Sequence, residues 1–310
     1  MTGAPQIFEA IALRQHKERH APAASKHDFL LTRVAEDFAE RLAIVRREFQ
    51  NSVSLGAYHG TVSRVLRANA RVGTMIDVES APRMLAQCDG PLLLSDIDVL
   101  PFAESSLDLV VSGLALHLVN DVPGTLAQAR RALKPDGLLL AALLGGETLK
   151  ELREAWLIAE DDVTGGASPR VAPFADLRDL GGLLQRAGFA LPVADNDVVR
   201  VTYTSPLALM QELKNMGMSN MLRERRRVPV TRKLLMRAAE VYQEKFGLPD
   251  GRVPATFEIV TLTAWVPHES QQKPLQPGSA KMRLSEALGV DEQSAGETTG
   301  VTPTDRATKE

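Results

Sequence analysis

Two histidines are the side chains best suited to proton transfer in this sequence. His59 lies in a glycine-containing turn, and His117 follows an apolar segment at 107–111 that is predicted to be a strand. At one edge of a parallel sheet, both imidazoles could accept a proton or orient a substrate. Packing, or a place at the start of a helix, is the alternative for each. The close His-x-Asp/Glu spacing of iron oxygenases is missing, so we predict no metal site.

The turn that carries His59 has residues expected of a ligand-binding loop. Gly56 and Gly60 permit positive φ and close backbone approach where a following helix offers free N–H groups. Residues 74–77 form a predicted short strand that ends in Asp77. A carboxylate about twenty residues past a glycine turn is placed to accept hydrogen bonds from ribose hydroxyls. A tight turn for the glycines and a helix cap for Asp77 are the structural alternatives.

A second carboxylate follows the next predicted strand. Asp96 and Ile97 come shortly before the apolar stretch Leu100-Pro101-Phe102. The carboxylate can accept a hydrogen bond from the exocyclic amine of adenine, while the ring packs on apolar groups. A plain turn at Asp96 is the alternative. A nicotinamide dinucleotide would also use the glycines and Asp77, but it would require a fuller GxGxxG motif.

The elements that position these residues are short buried strands. Residues 92–94, 107–111 and 138–144 are rich in Leu and Val and are bounded by Asp, Ser, Pro and Gly, as in strands buried on both faces. Residues 123–133 carry apolar or small side chains at helical spacing, and the turn at 134–137 ends that helix. Strand, helix and strand in this order predict a parallel crossover, so a ligand should bind at the carboxyl edge of an open sheet.

Composition restricts the class of protein. The chain has 310 residues, 44% of them hydrophobic and 24% charged, with a formal net charge of -3. These values predict one substantial core and argue against nucleic acid as the main partner. The single cysteine excludes an intrachain disulfide. No apolar run is long enough for export or for spanning a membrane, so the predicted location is cytoplasmic, with a peripheral position at the inner face of the membrane as the alternative.

These motifs together resemble the class I S-adenosylmethionine-dependent methyltransferases. Closer similarity is to the assembly-factor family of respiratory NADH:ubiquinone oxidoreductase (complex I), through HLVND at 117–121, GGETL at 145–149 and VPAT at 253–256. The resemblance covers about residues 6–280. It implies an α/β, Rossmann-like fold of seven strands, mostly parallel with the last strand antiparallel and helices on both faces. It also implies a role in maturing a complex I subunit, and mitochondrial members of the family are credited with arginine hydroxylation.

The resemblance implies S-adenosyl-L-methionine as the cofactor. Its expected contacts are Ser54, Gly56, Gly60, Asp77, Asp96, Ile97 and Leu116. The first motif departs from the superfamily, because Ser54 stands in the place of an acid and Tyr58 in the place of the middle glycine. The cofactor's amino group therefore lacks a nearby carboxylate, which weakens binding by about 1–3 kcal/mol if the pair would be buried. Tyr58 must point away from the methionine pocket or occupy part of it.

Three regions are predicted along the chain. Residues 1–50 form an N-terminal helical lead-in on the core, 51–266 a methyltransferase-like domain with a helical basic insertion at about 206–250, and 267–310 a mostly disordered tail. The basic part, 222–237, carries seven Arg or Lys residues. It is either a solvated helix face or a docking patch for an acidic protein or an anionic membrane.

Three functions remain open from the sequence. The first is an S-adenosylmethionine-dependent methyltransferase that modifies a protein and assists complex I assembly. The second is an arginine hydroxylase acting on a complex I subunit or assembly intermediate, which only the resemblance suggests. The third is a non-catalytic assembly chaperone with a degenerate cofactor site. A methyltransferase acting on an acyl carrier in biotin synthesis is a more distant alternative.

Overall fold

The structure is a computed structural model that describes residues 6–271 and Gly289. The chain divides into two compact units, Met1–Glu269 and Ser270–Glu310. The sheet and the helices described below belong to the first unit. Most of the predicted tail, residues 272–288 and 290–310, lies outside the described residues.

A seven-stranded sheet forms the centre of the first unit. Its strands are β1 (Phe49–Leu55), β2 (Val72–Glu79), β3 (Leu92–Leu94), β4 (Leu107–Gly113), β5 (Leu133–Leu144), β6 (Ala190–Tyr203) and β7 (Val253–Trp265). The spatial order is β3-β2-β1-β4-β5-β7-β6, and β7 runs antiparallel to both of its neighbours. The strand order reverses between β1 and β4, so a crevice forms beyond their carboxyl ends. The predicted Rossmann-like sheet of seven strands, mostly parallel with the last strand antiparallel, is confirmed.

Helices cover both faces of this sheet. They are α1 (Ala10–His20), α2 (Phe29–Ile44), α3 (Thr61–Arg67), α4 (Pro82–Leu85), α5 (Val122–Ala132), α6 (Lys150–Thr164), α7 (Leu177–Arg186), α8 (Pro206–Asn215) and α9 (Arg232–Phe246). One apolar cluster joins α2, α6 and α9 to the sheet, and a second joins α5 and α7 to the other side. The strands between them are therefore buried on both sides, which explains their uninterrupted apolar runs.

Several boundaries differ from those predicted. Strand β2 continues two residues past Asp77 to Glu79, because it pairs with β1 and β3 over that length. Strand β5 begins at Leu133 instead of at 138, since Leu133 pairs with Leu107 of β4. Strand β6 runs from Ala190 because the long strand β7 provides hydrogen-bond partners along its length. Helix α6 begins at Lys150, directly after the motif at 145–149. Pairing with neighbouring strands sets where these strands begin and end, and the residue pattern within one strand does not reveal that pairing.

The basic insertion is only partly helical. Helices α8 and α9 lie at its two ends, but residues 216–231 between them contain no α-helix. Gly217 adopts a positive φ of 78° directly after α8, and Pro229 cannot donate a helical hydrogen bond. Helix formation resumes after Thr231, whose hydroxyl accepts a hydrogen bond from the Leu234 N–H.

The N-terminal segment packs across the carboxyl edge of the sheet. Phe8 forms an isolated bridge with Leu222, and the Asn120 side chain exchanges two hydrogen bonds with the Phe8 backbone. These contacts hold α1 over the loops that follow β1, β2 and β4. The lead-in thus covers the edge where the sequence predicts a ligand.

Candidate active site

A pocket lies at the carboxyl ends of β1, β2 and β4, which we call the rim pocket. It holds about 510 Å³ of empty space, counting the open solvent at its mouth. The sheet edge contributes Gly56, Glu79, Ser80, Asp96, Ile97, Asp98, Ala115, Leu118, Val119 and Asn120, and the lead-in contributes Phe8, Ala10, Leu13 and Lys17. Its charged lining is one lysine and three carboxylates, so a cationic ligand suits it.

Glu79, not Asp77, is the β2 carboxylate that lines the rim pocket. Strand residues two apart share a face, so both acids point to the same side, but Glu79 is the one at the strand's end. Asp77 is fully buried and accepts a 2.5 Å hydrogen bond from Arg67. Burial raises the pKa of Asp77, although Arg67 opposes that shift. Asp77 therefore has a structural partner inside the fold and does not line the pocket.

Glu79 is paired with a lysine that the sequence analysis did not identify. The Lys17 Nζ donates to both oxygens of Glu79 at 3.0 and 2.9 Å, and both side chains are almost completely buried. The same ammonium lies 4.2 Å from the centre of the Tyr58 ring. Backbone N–H groups of Tyr58, Ser80 and Ala81 also donate to Glu79. A ribose bound here would share this carboxylate with Lys17.

The glycine turn makes a close approach that only glycine permits. Gly56 has a φ of 66°, and a Cβ added there would lie 2.2 Å from the Cβ of Ala115. Tyr58, in the middle glycine's place, also has a positive φ of 52° and is 3% exposed. Its ring lines the neighbouring apolar cavity and not the rim pocket. The tyrosine thus points away from the rim pocket, one of the two arrangements that the sequence left open.

The remaining predicted cofactor contacts divide into two groups. Asp96 and Ile97 line the rim pocket, and the exposed Asp96 carboxylate is accessible to a ligand. Ser54, Gly60 and Leu116 are buried and line neither pocket described here. Ala115 and Leu118, close to Leu116 in the chain, occupy the pocket wall instead.

A second, apolar cavity lies beside the glycine turn. It encloses about 1040 Å³ of empty space including its mouth. Most of its lining is aliphatic, aromatic or methionine, contributed by α2, α6, α8 and the segment at 216–222. Both predicted catalytic histidines, His59 and His117, line this cavity. The structure therefore brings the two histidines to one site, separate from the rim pocket.

His59 belongs to a polar cluster at the N-terminus of α2. Its Nε2 lies 3.0 Å from an Asp28 oxygen and 2.9 Å from the Thr61 hydroxyl. The Thr61 hydroxyl also donates to Asp28 at 3.0 Å. The other ring nitrogen of His59, Nδ1, is buried without a protein partner. In the sequence Asp28 is notable only as the residue that opens α2, and its carboxylate makes no cap hydrogen bond.

In His117, by contrast with His59, Nδ1 is the ring nitrogen that has a protein partner. Its Nδ1 accepts a 3.4 Å hydrogen bond from the Leu144 N–H, so the neutral ring carries its proton on Nε2. Burial, aided by the nearby positive charge of Lys17, lowers the pKa of His117 to about 3. The ring also packs edge-on against Phe174 at 5.7 Å. His117 is therefore suited to donating a hydrogen bond to a substrate, and less suited to the proton-accepting role also considered from the sequence.

The described residues hold neither a metal cluster nor a spanning helix. No three or more His, Cys, Asp or Glu side chains converge there in a way that could bind a metal ion. Among the helices that the structure describes, none combines the length and apolarity needed to cross a bilayer.

Comparisons with known proteins identify relatives for most of the chain. The profile of the methyltransferase domain family matches residues 53–141, from β1 into β5. A curated human protein, the mitochondrial arginine-hydroxylase NDUFAF5, is 37% identical over 90% of this chain and 83% of its own length. A malonyl-[acyl-carrier protein] O-methyltransferase of Halorhodospira halophila is 34% identical over 85% of this chain and 90% of its own length.

Solved structures support the fold. The YcgJ protein of Bacillus subtilis superimposes with a TM-score of 0.54, covering 76% of this chain and 99% of its own, at 13% identity. At that identity the similarity concerns the fold alone.

The predicted cytoplasmic location is contradicted by the relatives. The arginine-hydroxylases that match about nine-tenths of the chain are named as mitochondrial proteins. The prediction rested on the lack of a hydrophobic export signal. That reasoning was too weak, because mitochondrial targeting uses amphipathic basic segments instead of long apolar ones.

Proposed function

Since this chain belongs to the class I S-adenosylmethionine-dependent methyltransferase superfamily, and within it to the family of the NDUFAF5 arginine-hydroxylases, we propose that it is an S-adenosylmethionine-binding enzyme that modifies a protein during complex I assembly. The rim pocket is the observation that carries this proposal. It lies at the point where the strand order reverses, which is where open α/β sheets bind nucleotides.

The residues present fit the nucleoside half of the cofactor. We propose that Glu79 accepts hydrogen bonds from ribose hydroxyls, that Asp96 accepts one from the adenine amine and that Ile97 packs on the ring, since all three residues line the rim pocket. Gly56 lets the backbone approach the ligand. The cofactor would supply an electrophilic methyl group there. Its cationic sulfonium and ammonium suit a lining with three carboxylates and one lysine.

The pocket offers fewer matching groups to the methionine half of the cofactor. Ser54, in the position where an acid was expected, is 1% exposed inside β1 and does not line the pocket. The positive charge of Lys17 also makes the rim pocket less favourable for a cationic ligand. We therefore expect weaker binding of S-adenosylmethionine than in family members that carry the acid, by the loss of a hydrogen bond between charged groups.

Calorimetric titration with S-adenosylmethionine tests this assignment. We expect saturable heat from the wild-type protein and none from Gly56→Ala, because the new Cβ collides with Ala115. Gly146→Ala is the matched control, since a Cβ there meets nothing within 4 Å. Lack of heat from the wild type at millimolar ligand would instead support the non-catalytic chaperone.

Hydroxylation of an arginine is the second candidate. The names of the relatives favour it, as several curated proteins of 36–37% identity are called arginine-hydroxylases. Mass analysis of complex I subunits from a strain lacking this protein separates the two reactions. Loss of about 14 Da from a peptide corresponds to a missing CH₂ and methylation, and loss of about 16 Da to a missing oxygen and hydroxylation. Unchanged subunit masses would contradict both.

The exposed basic segment provides a surface for the partner. Its exposed cations are Arg223, Arg226, Arg227, Arg232 and Lys233, and the exposed apolar residues Val228 and Val230 lie among them. Arg225 is less available, because it is half-buried and pairs with Glu9 at 2.5 Å, and the exposed Arg227 lies 3.4 Å from the same carboxylate. We propose that this surface associates peripherally with an anionic membrane, where each such cation contributes about 1 kcal/mol.

Flotation with vesicles tests the membrane surface. The double variant Arg226→Glu and Arg232→Glu should bind phosphatidylglycerol vesicles at least about tenfold more weakly than wild type. Arg178→Glu, on the exposed side of α7 against the other face of the sheet, is the control and should bind normally. Equal binding of wild type to phosphatidylcholine vesicles would contradict the electrostatic surface. Lack of any vesicle binding would favour an acidic protein as the partner.

A further inference from the structure

Asp28 is the one carboxylate among the described residues that line the apolar cavity. Its side chain is 21% exposed. The lining around it is mostly carbon and sulfur, and it includes the aromatic rings of Tyr58, Phe174 and Phe257. A carboxylate in such surroundings is costly unless a cation or several hydrogen-bond donors accompany it. The partners of Asp28 therefore indicate whether this group is complete without a ligand.

The protein satisfies only one oxygen of this carboxylate. The His59 Nε2 and the Thr61 hydroxyl both contact Oδ2, at 3.0 Å each. A carboxylate oxygen has about two lone-pair sites, so Oδ2 is fully used. Within the described part of the chain, Oδ1 has no hydrogen-bond partner, and it keeps accessible surface. A donor that enters the cavity can therefore bond to Oδ1.

Asp28 also lacks a permanently charged partner. Among the described residues its ion-pair neighbour is His59, whose ring is cationic only when it is protonated. The arginine of the cavity lining, Arg170, is instead paired with the buried Glu160. A further carboxylate, Glu212, lies behind the lining, 2.7 Å from the ring of one of its histidines. The cavity thus has an excess of negative charge, which a positively charged ligand would neutralise.

Of the cationic side chains that a protein partner can offer, arginine suits this lining better than lysine. A guanidinium is planar and more weakly hydrated than an ammonium, so it loses less on entering an apolar cavity, and it can stack on aromatic rings. Its N–H groups can donate to Oδ1 of Asp28. The methylene groups of the arginine would meanwhile pack against the methionine and leucine side chains of the lining.

We propose that Asp28 is the residue that selects an arginine side chain of a partner protein in the apolar cavity, by pairing its Oδ1 with the guanidinium. The two hydrogen bonds to Oδ2 hold the carboxylate in place. This recognition agrees with arginine hydroxylation, the second candidate reaction above. That the bound arginine is also the residue modified rests on the proposed function, whereas the binding of a guanidinium does not.

Blocked amino acids measure this recognition in the full protein. N-acetyl-arginine methylamide should bind at least about tenfold more tightly than N-acetyl-citrulline methylamide, which has nearly the same shape but is neutral. The corresponding lysine probe should bind more weakly than the arginine probe. Asp28→Asn keeps the size of the side chain and should abolish the preference for arginine over citrulline. Glu36→Gln, on the exposed side of the same helix, is the matched control and should retain it.

The contrary results are equally defined. Equal binding of the arginine and citrulline probes to the wild type would overturn the proposal, and so would an unchanged preference in Asp28→Asn. Tighter binding of the lysine probe than of the arginine probe would overturn the assignment of arginine.

Methionine methyl resonances locate the bound probe without any variant. Met84, Met216, Met218 and Met221 line the cavity, whereas Met236 is exposed on α9. In protein labelled with ¹³C-methyl-methionine, the arginine probe should shift resonances of the cavity group and leave Met236 unchanged. Saturation with the probe without a shift in the cavity group would place the guanidinium elsewhere and overturn the proposal.

Titration with S-adenosylmethionine separates this inference from the proposed function. If the cofactor gives no heat while the arginine preference and the methionine shifts are observed, the cofactor assignment fails and the guanidinium site stands. If the cofactor binds but the arginine and citrulline probes bind equally, the guanidinium site fails and the proposed function stands.

Discussion

Glu79→Gln should destabilise this protein by about 3–5 kcal/mol, because it leaves the Lys17 ammonium buried without a counter-charge. Both side chains are at most 5% exposed, and the ammonium lies within 3.0 Å of both oxygens. The amide nitrogen would also face a backbone N–H that now donates to the carboxylate, either that of Tyr58 or that of Ala81, depending on which oxygen it replaces. Urea denaturation at neutral pH measures the loss.

Removing the lysine of this pair should destabilise the protein less than replacing the glutamate does. Lys17→Met removes one donor, but Glu79 keeps hydrogen bonds from the Tyr58, Ser80 and Ala81 N–H groups and from the Ser80 hydroxyl. The double variant, with both changes, should be more stable than Glu79→Gln alone because no unpaired buried charge remains. If Lys17→Met proved the more damaging of the two single changes, the buried pair would not control the stability of this edge.

His117 should make the protein sensitive to mild acid. Burial lowers its pKa from 6.5 to about 3, so the unfolded chain binds this proton at a higher pH than the folded chain does. The contribution of His117 to stability is therefore complete above pH 6.5 and is lost as the pH falls toward about 3. At about 1.4 kcal/mol for each pH unit, the loss reaches about 2 kcal/mol by about pH 5.

A comparison of variants isolates this effect from the titration of carboxylates. His117→Gln cannot titrate but can still accept the Leu144 N–H hydrogen bond. Its free energy of unfolding should fall by about 2 kcal/mol less than that of the wild type between about pH 7 and about pH 5. Urea denaturation at the two pH values provides the measurement. Equal losses in the two proteins would show that His117 is not held neutral.

Part of the candidate site followed directly from local sequence. Gly56 and the pair Asp96 and Ile97 were predicted because each follows a strand with a recognisable apolar run, and the ends of parallel strands meet at one edge. The structure places all three in the rim pocket. His59 and His117 were predicted to reach the same sheet edge, and in the structure both line the apolar cavity instead of the rim pocket.

Local sequence did not predict which carboxylate of β2 lines the rim pocket. Asp77 and Glu79 share a strand face, and their spacing alone does not indicate which of them lies at the edge. Strand pairing carries β2 to Glu79, so Asp77 lies inside the fold against Arg67. A pattern of alternating residues predicts the face of a strand much better than the residue at which the strand ends.

The sequence by itself determined the doubly wound sheet and the edge where a ligand should bind, because buried strands and glycine turns are encoded by residues close together in the chain. Tertiary structure decided which charges meet there. Lys17 reaches Glu79 across 62 residues, and Asp28 reaches His59 across 31, when the N-terminal segment packs over the sheet edge. Such contacts depend on how distant helices pack, and the local spacing of residues does not encode that packing.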